Sequence, residues 1–249
     1  MKIAVAGGTG TLGAHIVRSA EGREHEVTVL TRSQGTDVRS GSGLEDALAG
    51  HDSVIDALNY STLSAKKSIA FFEQTSKNLL NAAAKARVGH AVMVSIVGID
   101  RNPNNYFAGK LIQEQIYQQS EAPHTILRAT QFHEFAGQML AQAKVGPLRI
   151  APRAKIQPVA AEEAALRLIE LAEGPPSGQV SDLAGPRPEE LSELVRAYAE
   201  HTGVHGPLVP MSLPGAQMKG MRAGLNLPET GATLGTMTFA QWLAGQPRG

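Results

Sequence analysis

The chain has 249 residues, a formal net charge of zero and no cysteine. That length suits one large α/β domain with a sizeable core, and the plentiful apolar residues belong to a globular chain rather than a disordered one. Neutrality gives no long-range field to gather nucleic acid or an acidic membrane, and the missing cysteine excludes disulfides, thiolate catalysis and cysteine-ligated metal.

The first predicted strand, Ile3–Ala6, follows the N-terminus with no signal-peptide pattern, and no apolar run approaches the roughly 20 residues of a membrane span. The expectation is a cytoplasmic protein with a small-molecule partner, and with neither nucleic acid nor membrane. Further short apolar or β-branched runs read as buried parallel strands at Val27–Leu30, Ser53–Leu58, Ala91–Ser95 and Thr125–Leu127. Between them lie helical stripes: Leu12, Ile16, Val17 and Ala20; then Leu44, Ala47 and Leu48; then Leu79, Leu80, Ala83 and Ala84. Alternating strand and helix predicts an α/β fold, a Rossmann-type doubly wound parallel sheet with right-handed crossovers. Past Leu127 the pattern loosens. Helices are predicted over Phe132–Ala143, Ala161–Glu173 and Glu189–His201, a strand over Leu148–Ala151, and a closing helix over Phe239–Leu243 that docks Trp242. Gly-Pro pairs at 174–176, 185–186 and 206–207 read as loops between short elements.

The strongest motif is Ala4-Val5-Ala6-Gly7-Gly8-Thr9-Gly10-Thr11-Leu12-Gly13, three glycines between the first strand and the first helix. Gly7 permits the tight turn, Gly10 lets the backbone approach a pyrophosphate, and Gly13 lets helix and strand close on one another. The helix start at Thr11 and Leu12 turns free N–H groups and a positive dipole end toward phosphates. After the second strand an NAD site usually carries an acid for the ribose hydroxyls. This chain has Thr31-Arg32-Ser33 instead. Arg32 is either an exposed surface arginine or the partner of a 2′-phosphate, which points to NADP(H) as cofactor. Asn59, after the Ser53–Leu58 strand, is a turn residue or a neighbour of the cofactor.

Tyr106 and Lys110 stand four apart, so in a helix they share a side. The ammonium would lower the tyrosine pKa and hold the nicotinamide ribose. Ser95 ends the preceding strand at the carboxyl edge where such sheets bind ligands. Together the three make a candidate proton-donating group.

The segments Ala6-Gly7-Gly8-Thr9-Gly10-Thr11-Leu12-Gly13, Val94-Ser95-Ile96-Val97-Gly98-Ile99-Asp100 and Ile126-Leu127-Arg128-Ala129-Thr130-Gln131-Phe132 resemble atypical short-chain dehydrogenase/reductases of the NmrA-like NAD(P)-binding group. The resemblance implies one Rossmann domain over residues 1–249, with residues from about 130 onward adding a small substrate lobe. It also implies NADP(H) binding at Gly7, Gly10, Gly13 and Arg32, and a Ser95-Tyr106-Lys110 catalytic pattern. Members of this group often lack the Tyr or the Lys, and some bind the dinucleotide as regulators without turning it over.

Phe132 and His133 follow a strand end where a substrate pocket should open; His133 either relays a proton or bonds within the fold. His201 and His205 have no third ligand near them, so no metal site is expected. Met211, Met218 and Met221 line a cleft or fill a core, and Phe71 and Phe72 face either the chain itself or a partner copy, leaving a homo-oligomer open. Three functions compete. They are an NADPH-dependent reductase of a small carbonyl, quinone or activated alkene, a redox-sensing NADP(H)-binding regulator, and a nucleotide-sugar epimerase or dehydratase. The third is disfavoured because such enzymes usually carry a longer C-terminal lobe.

Overall fold

A computed structural model describes residues 1–142 and 148–249, with the backbone alone of Lys144 and Val145 between them. The elements in chain order are β1 (Lys2–Ala6), α1 (Thr11–Gly22), β2 (Glu26–Leu30), α2 (Leu44–Leu48), β3 (Ser53–Asp56), α3 (Ala65–Lys85), β4 (His90–Ile96), α4 (Tyr106–Gln119) and β5 (His124–Ala129). Then come α5 (Phe135–Gln142), β6 (Lys144–Val145), β7 (Leu148–Pro152), β8 (Lys155–Ile156), α6 (Ala161–Glu173), β9 (Gly178–Gln179), β10 (Leu183–Ala184) and β11 (Glu189–Glu190). The chain closes with α7 (Leu191–His201), β12 (Leu208–Met211), α8 (Ala216–Arg222), β13 (Thr233–Leu234) and α9 (Phe239–Ala244).

The main sheet runs β13-β10-β5-β4-β3-β1-β2, and β9 also pairs with β5. All its pairings are parallel, with Ile3 facing Val27 on one side and Ser53 on the other. Strand order reverses at β1: the chain goes one way to β2, then back past β1 to β3, β4 and β5. In an open sheet of this kind, the crevice at the carboxyl ends beside that reversal is where ligands bind.

Alternation of side chains across each strand builds two apolar layers. Ile3, Val5, Ile55, Val92 and Leu127 pack on one face with Ile16 of α1 and Leu168 of α6. Ala4, Ala6, Val54, Met93 and Ile126 pack on the other with Leu79 and Leu80 of α3 and Tyr117 of α4. A third core joins Phe107 and Ile99 to Leu140, Ile156, Leu191, Val195, Met221 and Phe239 of the C-terminal part.

The predicted alternation is present, with shifted edges. β3 stops at Asp56 rather than Leu58, because Ala57 makes one last bond to Ala6 and the chain then turns away. On α3 the buried stripe is Leu79, Leu80, Ala82 and Ala83, whereas Ala84 faces solvent. Glu189 and Glu190 form β11, and the following helix begins at Leu191. Helix α5 begins at Phe135, so Phe132 and His133 sit in the loop before it; its predicted last residue, Ala143, lies outside the described residues. Phe72 is fully buried within the chain, and Met221 is core, while Met211 is exposed. Among the described residues no helix is long and apolar enough to cross a membrane.

Candidate functional site

The sequence-predicted residues gather at one edge of the sheet. Gly7 follows β1, Arg32 follows β2, Asn59 follows β3, Ser95 is the last residue but one of β4, and Phe132 follows β5. Parallel strands share a direction, so all five lie at the carboxyl end, around the reversal at β1.

The glycines divide by what each one has to accommodate. Gly7 has φ +82°, and a Cβ there would lie 2.5 Å from the Ala57 carbonyl oxygen, across the β1–β3 reversal. A Cβ on Gly13 would lie 2.1 Å from the Gly7 carbonyl oxygen, so this glycine lets α1 close onto its own loop. Those two are demanded by the fold. Gly10 is different: it is exposed, its φ is −79°, and an added Cβ would meet only the Gly7 oxygen, at 3.3 Å. The glycine there leaves the outer side of the loop clear, as a backbone that must approach a phosphate requires. Gly10 is also the N-cap of α1 and offers no side chain to cap the first turn, which contains no acidic residue. The N–H groups of Thr11, Leu12 and Gly13 thus begin the helix with no carboxylate of its own first turn beside their positive dipole end. These residues fit a dinucleotide pyrophosphate.

Arg32 opens a 3-10 turn, Arg32–Gln34, directly after β2 and is exposed. Among the described residues it has no ion-pair partner within bonding distance; Asp37, whose carboxyl is lowered chiefly by the Arg39 backbone N–H, is a more distant neighbour. Thr31 and Ser33 bond to each other through their hydroxyls at 3.0 Å. Asn59 is exposed in the loop between β3 and α3.

Ser95 is buried on the α3–α4 face of β4, alongside Met93, and its Oγ has no partner among the described residues. Tyr106 is the first residue of α4 and Lys110 lies one turn on. Both contact Phe72 of α3: the tyrosine ring lies 5.8 Å from it edge-on, and the Lys110 Nζ sits 5.0 Å above its face. The Lys110 ammonium donates to the Val94 carbonyl at 2.7 Å, one residue from Ser95, and to Gln113 Oε1. Burial pulls its pKa down to about 8, against the pull of Asp56 and then Glu114. The tyrosine departs from expectation. Burial, and then the Asp56 carboxylate, push its hydroxyl up rather than down, and Lys110 is not among the causes. Lys110 thus reaches the end of β4 beside Ser95 while the Tyr106 ring lies against Phe72, and no hydrogen bond links the three side chains to one another.

His133 is turned into the C-terminal part. Its Nε2 lies 3.0 Å from the Met237 carbonyl, and its ring packs on Phe239 and Trp242 at 5.7 and 5.6 Å. Burial lowers its pKa, which favours the neutral ring with Nε2–H donating. Phe132 packs partly into the layer formed with α1 and α6. His201 likewise bonds the Gln246 carbonyl, at 2.9 Å.

Sequence reasoning missed Asp56, Gln113 and Glu114. Asp56 and Gln113 are fully buried, and Glu114 is nearly so. The signal available for Asp56 was a carboxylate inside the otherwise apolar run Val54-Ile55-Asp56-Ala57-Leu58, a position that demands a partner.

The geometry of the loop matches what a comparison with protein families finds. The NAD(P)H-binding family model matches residues 7–162, from the first glycine into α6. The chain belongs to this NAD(P)H-binding family. It shares its fold with the short-chain dehydrogenase/reductases and their epimerase relatives. A nucleoside-diphosphate-sugar epimerase from Staphylococcus aureus superimposes with a TM-score of 0.69 at 18% identity, covering 100% of this chain and 98% of that one. An NADPH-dependent quinone oxidoreductase from Escherichia coli, complexed with NADPH, gives 0.70 at 19% identity over 97% and 98%. A short-chain dehydrogenase/reductase superfamily protein from Agrobacterium tumefaciens with bound NAD gives 0.67 at 17%, over 98% and 95%. At these identities the likeness is one of fold. No match is found among curated proteins. The length argument against an epimerase falls, since a chain of that name is covered almost end to end.

Proposed function

We propose that the chain is an NADPH-dependent oxidoreductase that reduces a small carbonyl, quinone or activated alkene. What supports this reading is that the Lys110 ammonium reaches the Val94 carbonyl beside Ser95 at the carboxyl end of β4, with Tyr106 one helical turn before it on α4. Reduced nicotinamide, when bound, supplies a hydride. The glycine loop and the α1 N-terminus would hold its pyrophosphate, Arg32 its 2′-phosphate, and Asn59 would lie beside it. The Tyr106 hydroxyl is protonated at neutral pH; burial makes it a weaker acid than a free phenol, so it would give its proton only to an oxygen as basic as a developing alkoxide. Ser95, with a buried Oγ that lacks a partner, would bond the substrate oxygen. Lys110 would set the charge at this edge and hold the ribose. Phe132 and His133 would flank the substrate, His133 acting through the α9 packing rather than as an acid.

A second reading is favoured by one observation. Two of the three Lys110 donors are taken by Val94 and Gln113, and the ammonium lies over the face of Phe72, which leaves little for a ribose. A dinucleotide-binding regulator needs no such donor. The test is NADPH oxidation offered against panels of carbonyls, quinones and enones. The reductase reading expects turnover with at least one acceptor, and a Tyr106→Phe variant that keeps NADPH affinity but loses roughly 10²–10⁴-fold in rate. Tight NADPH binding with no turnover on any panel would favour the regulator.

A further inference from the structure

Lys110 belongs to a buried chain of polar groups that runs behind the candidate site. Gln113, which takes the ammonium on its Oε1, points its Nε2 at Asp56 Oδ2, 2.8 Å away. The same carboxylate oxygen accepts the Tyr117 hydroxyl at 2.9 Å, and the other accepts the Leu58 N–H at 3.1 Å. Asp56 and Gln113 are 0% exposed and Lys110 is 2% exposed. A cation and an anion are therefore buried together without touching. One amide separates them, with its oxygen on the cation and its nitrogen on the anion, and this pairing admits only one orientation of the amide.

We propose that Asp56 and Gln113 are positioning residues for Lys110: the carboxylate, acting through the Gln113 amide, keeps the ammonium charged and pinned to the Val94 carbonyl beside Ser95. This rests on the reading of Lys110 as a site residue given above. Tying α4 to β3 would not need such an arrangement, since Tyr117 alone already bonds Asp56 from the same helix. A buried ammonium without an anion nearby gives up its proton. Among the described residues the groups around Lys110 come from four elements. Phe72 comes from α3, the Val94 carbonyl from β4, and Asp56 from β3. Tyr106, Gln113, Glu114 and Tyr117 come from α4 itself. Both tyrosines are pushed up by burial and stay neutral. Glu114 is committed elsewhere, gripped by Arg128 through two bonds of 2.9 and 2.7 Å. Among the described residues Asp56 makes no ion pair of its own, which leaves Lys110 as the charge it answers.

The test is a lysine NMR titration of the full chain carrying ¹³C-labelled lysine, with the Lys110 signal assigned by its loss in Lys110→Met. Three forms are compared with the parent: Asp56→Asn, Gln113→Leu, and the double variant Asp56→Asn with Gln113→Glu, which moves the carboxylate one step closer. The proposal expects the Lys110 midpoint to fall by about one pH unit or more in each single variant. It expects the double variant to bring the midpoint back to the parent value or above. The pH midpoint of NADPH affinity should follow in the same order. A purely structural role predicts lower melting temperatures with an unmoved Lys110 midpoint, and that result overturns the proposal. Should Asp56→Asn fail to fold, Gln113→Leu decides it alone, since it leaves Asp56 bonded to Tyr117 and Leu58. The titration needs no turnover, so it separates this proposal from the reductase reading. Midpoints that move as expected while Lys110→Met keeps full NADPH affinity and rate would uphold the positioning and sink Lys110 as a site residue.

Discussion

Gly10 caps α1 and Gly13 lies in its first turn, and the two answer to different neighbours. Replacing Gly13 with alanine drives a methyl into the Gly7 carbonyl, 2.1 Å away, so the loop itself must open. At Gly10 an added Cβ meets only the Gly7 oxygen, at 3.3 Å, a tight contact that the loop relieves by a shift of a few tenths of an ångström. The expected outcome is a Gly10→Val chain with a near-parental melting temperature and no dinucleotide binding by calorimetry, and a Gly13→Ala chain that loses both. Unchanged binding in Gly10→Val would remove the pyrophosphate from this loop. Arg32 gives a second test at this scale. A charge-assisted bond to a 2′-phosphate contributes about 1.5–3 kcal/mol, so the parent should bind NADPH more tightly than NADH, and Arg32→Ala should erase the difference. Equal affinities in the parent, measured by titration, would contradict it. Residues such as Gly10 and Arg32 were legible because their chemistry follows from position after a strand. Asp56 and Gln113 were not, because their meaning lies in a contact between β3 and α4 that spacing along the chain does not reveal.

Helix α4 carries both the candidate chemistry and the ties that hold it. Its first turns present Tyr106 and Lys110, while its next turn sends Glu114 to Arg128 of β5 in a two-bond ion pair buried on the carboxylate side. Breaking one partner of such a pair strands the other, whereas replacing both by apolar groups costs far less. Arg128→Met should therefore lower stability by on the order of 3 kcal/mol, and adding Glu114→Leu should recover part of that loss. Urea titrations of the two variants check this; a double variant weaker than the single one would mean the pair is a net stabiliser. At this scale the sequence was legible where period is sustained. The α1, α2 and α3 stripes, helix α6 and the five central strands were placed to within a few residues. In the C-terminal part β7 was placed as well, whereas β8, β9, β10, β11 and β13 are two residues each, too short to show alternation. Their pairing is set by what packs above them.

Across the whole molecule, two buried histidines link folding to acidity. His90 bonds Thr125 Oγ1 at 2.8 Å between β4 and β5, and His133 ties the loop after β5 to the Met237 carbonyl. Burial lowers both pKa values below the ordinary 6.5. The unfolded chain then binds more protons than the folded one as pH drops through that value. Stability is full above about pH 6.5 and falls as the medium is acidified toward the folded-state values. Glu134, pushed up by burial, has the opposite sign, so the histidine share is read as a difference. The melting temperature of the parent should drop between pH 7.5 and 5.5, and His133→Gln should drop less over the same interval. Equal drops would assign the acid sensitivity elsewhere.

The packing of α9 has an optical consequence. Trp242 is the only tryptophan in the chain, and it lies between the rings of His133 and Tyr198, with Phe239 on the same helix. Its emission is therefore an unlabelled signal from one place: the seam where the closing helix meets the loop after β5. A protonated imidazole quenches indole fluorescence and a neutral one does so far less, so the brightness of this one residue responds to the charge of His133, with the Glu134 carboxyl that also bonds the indole as a second influence. A cofactor seated at the carboxyl edge would take up part of the same light by energy transfer. One fluorimeter trace could then follow cofactor arrival and the onset of acid loosening in the unmodified protein.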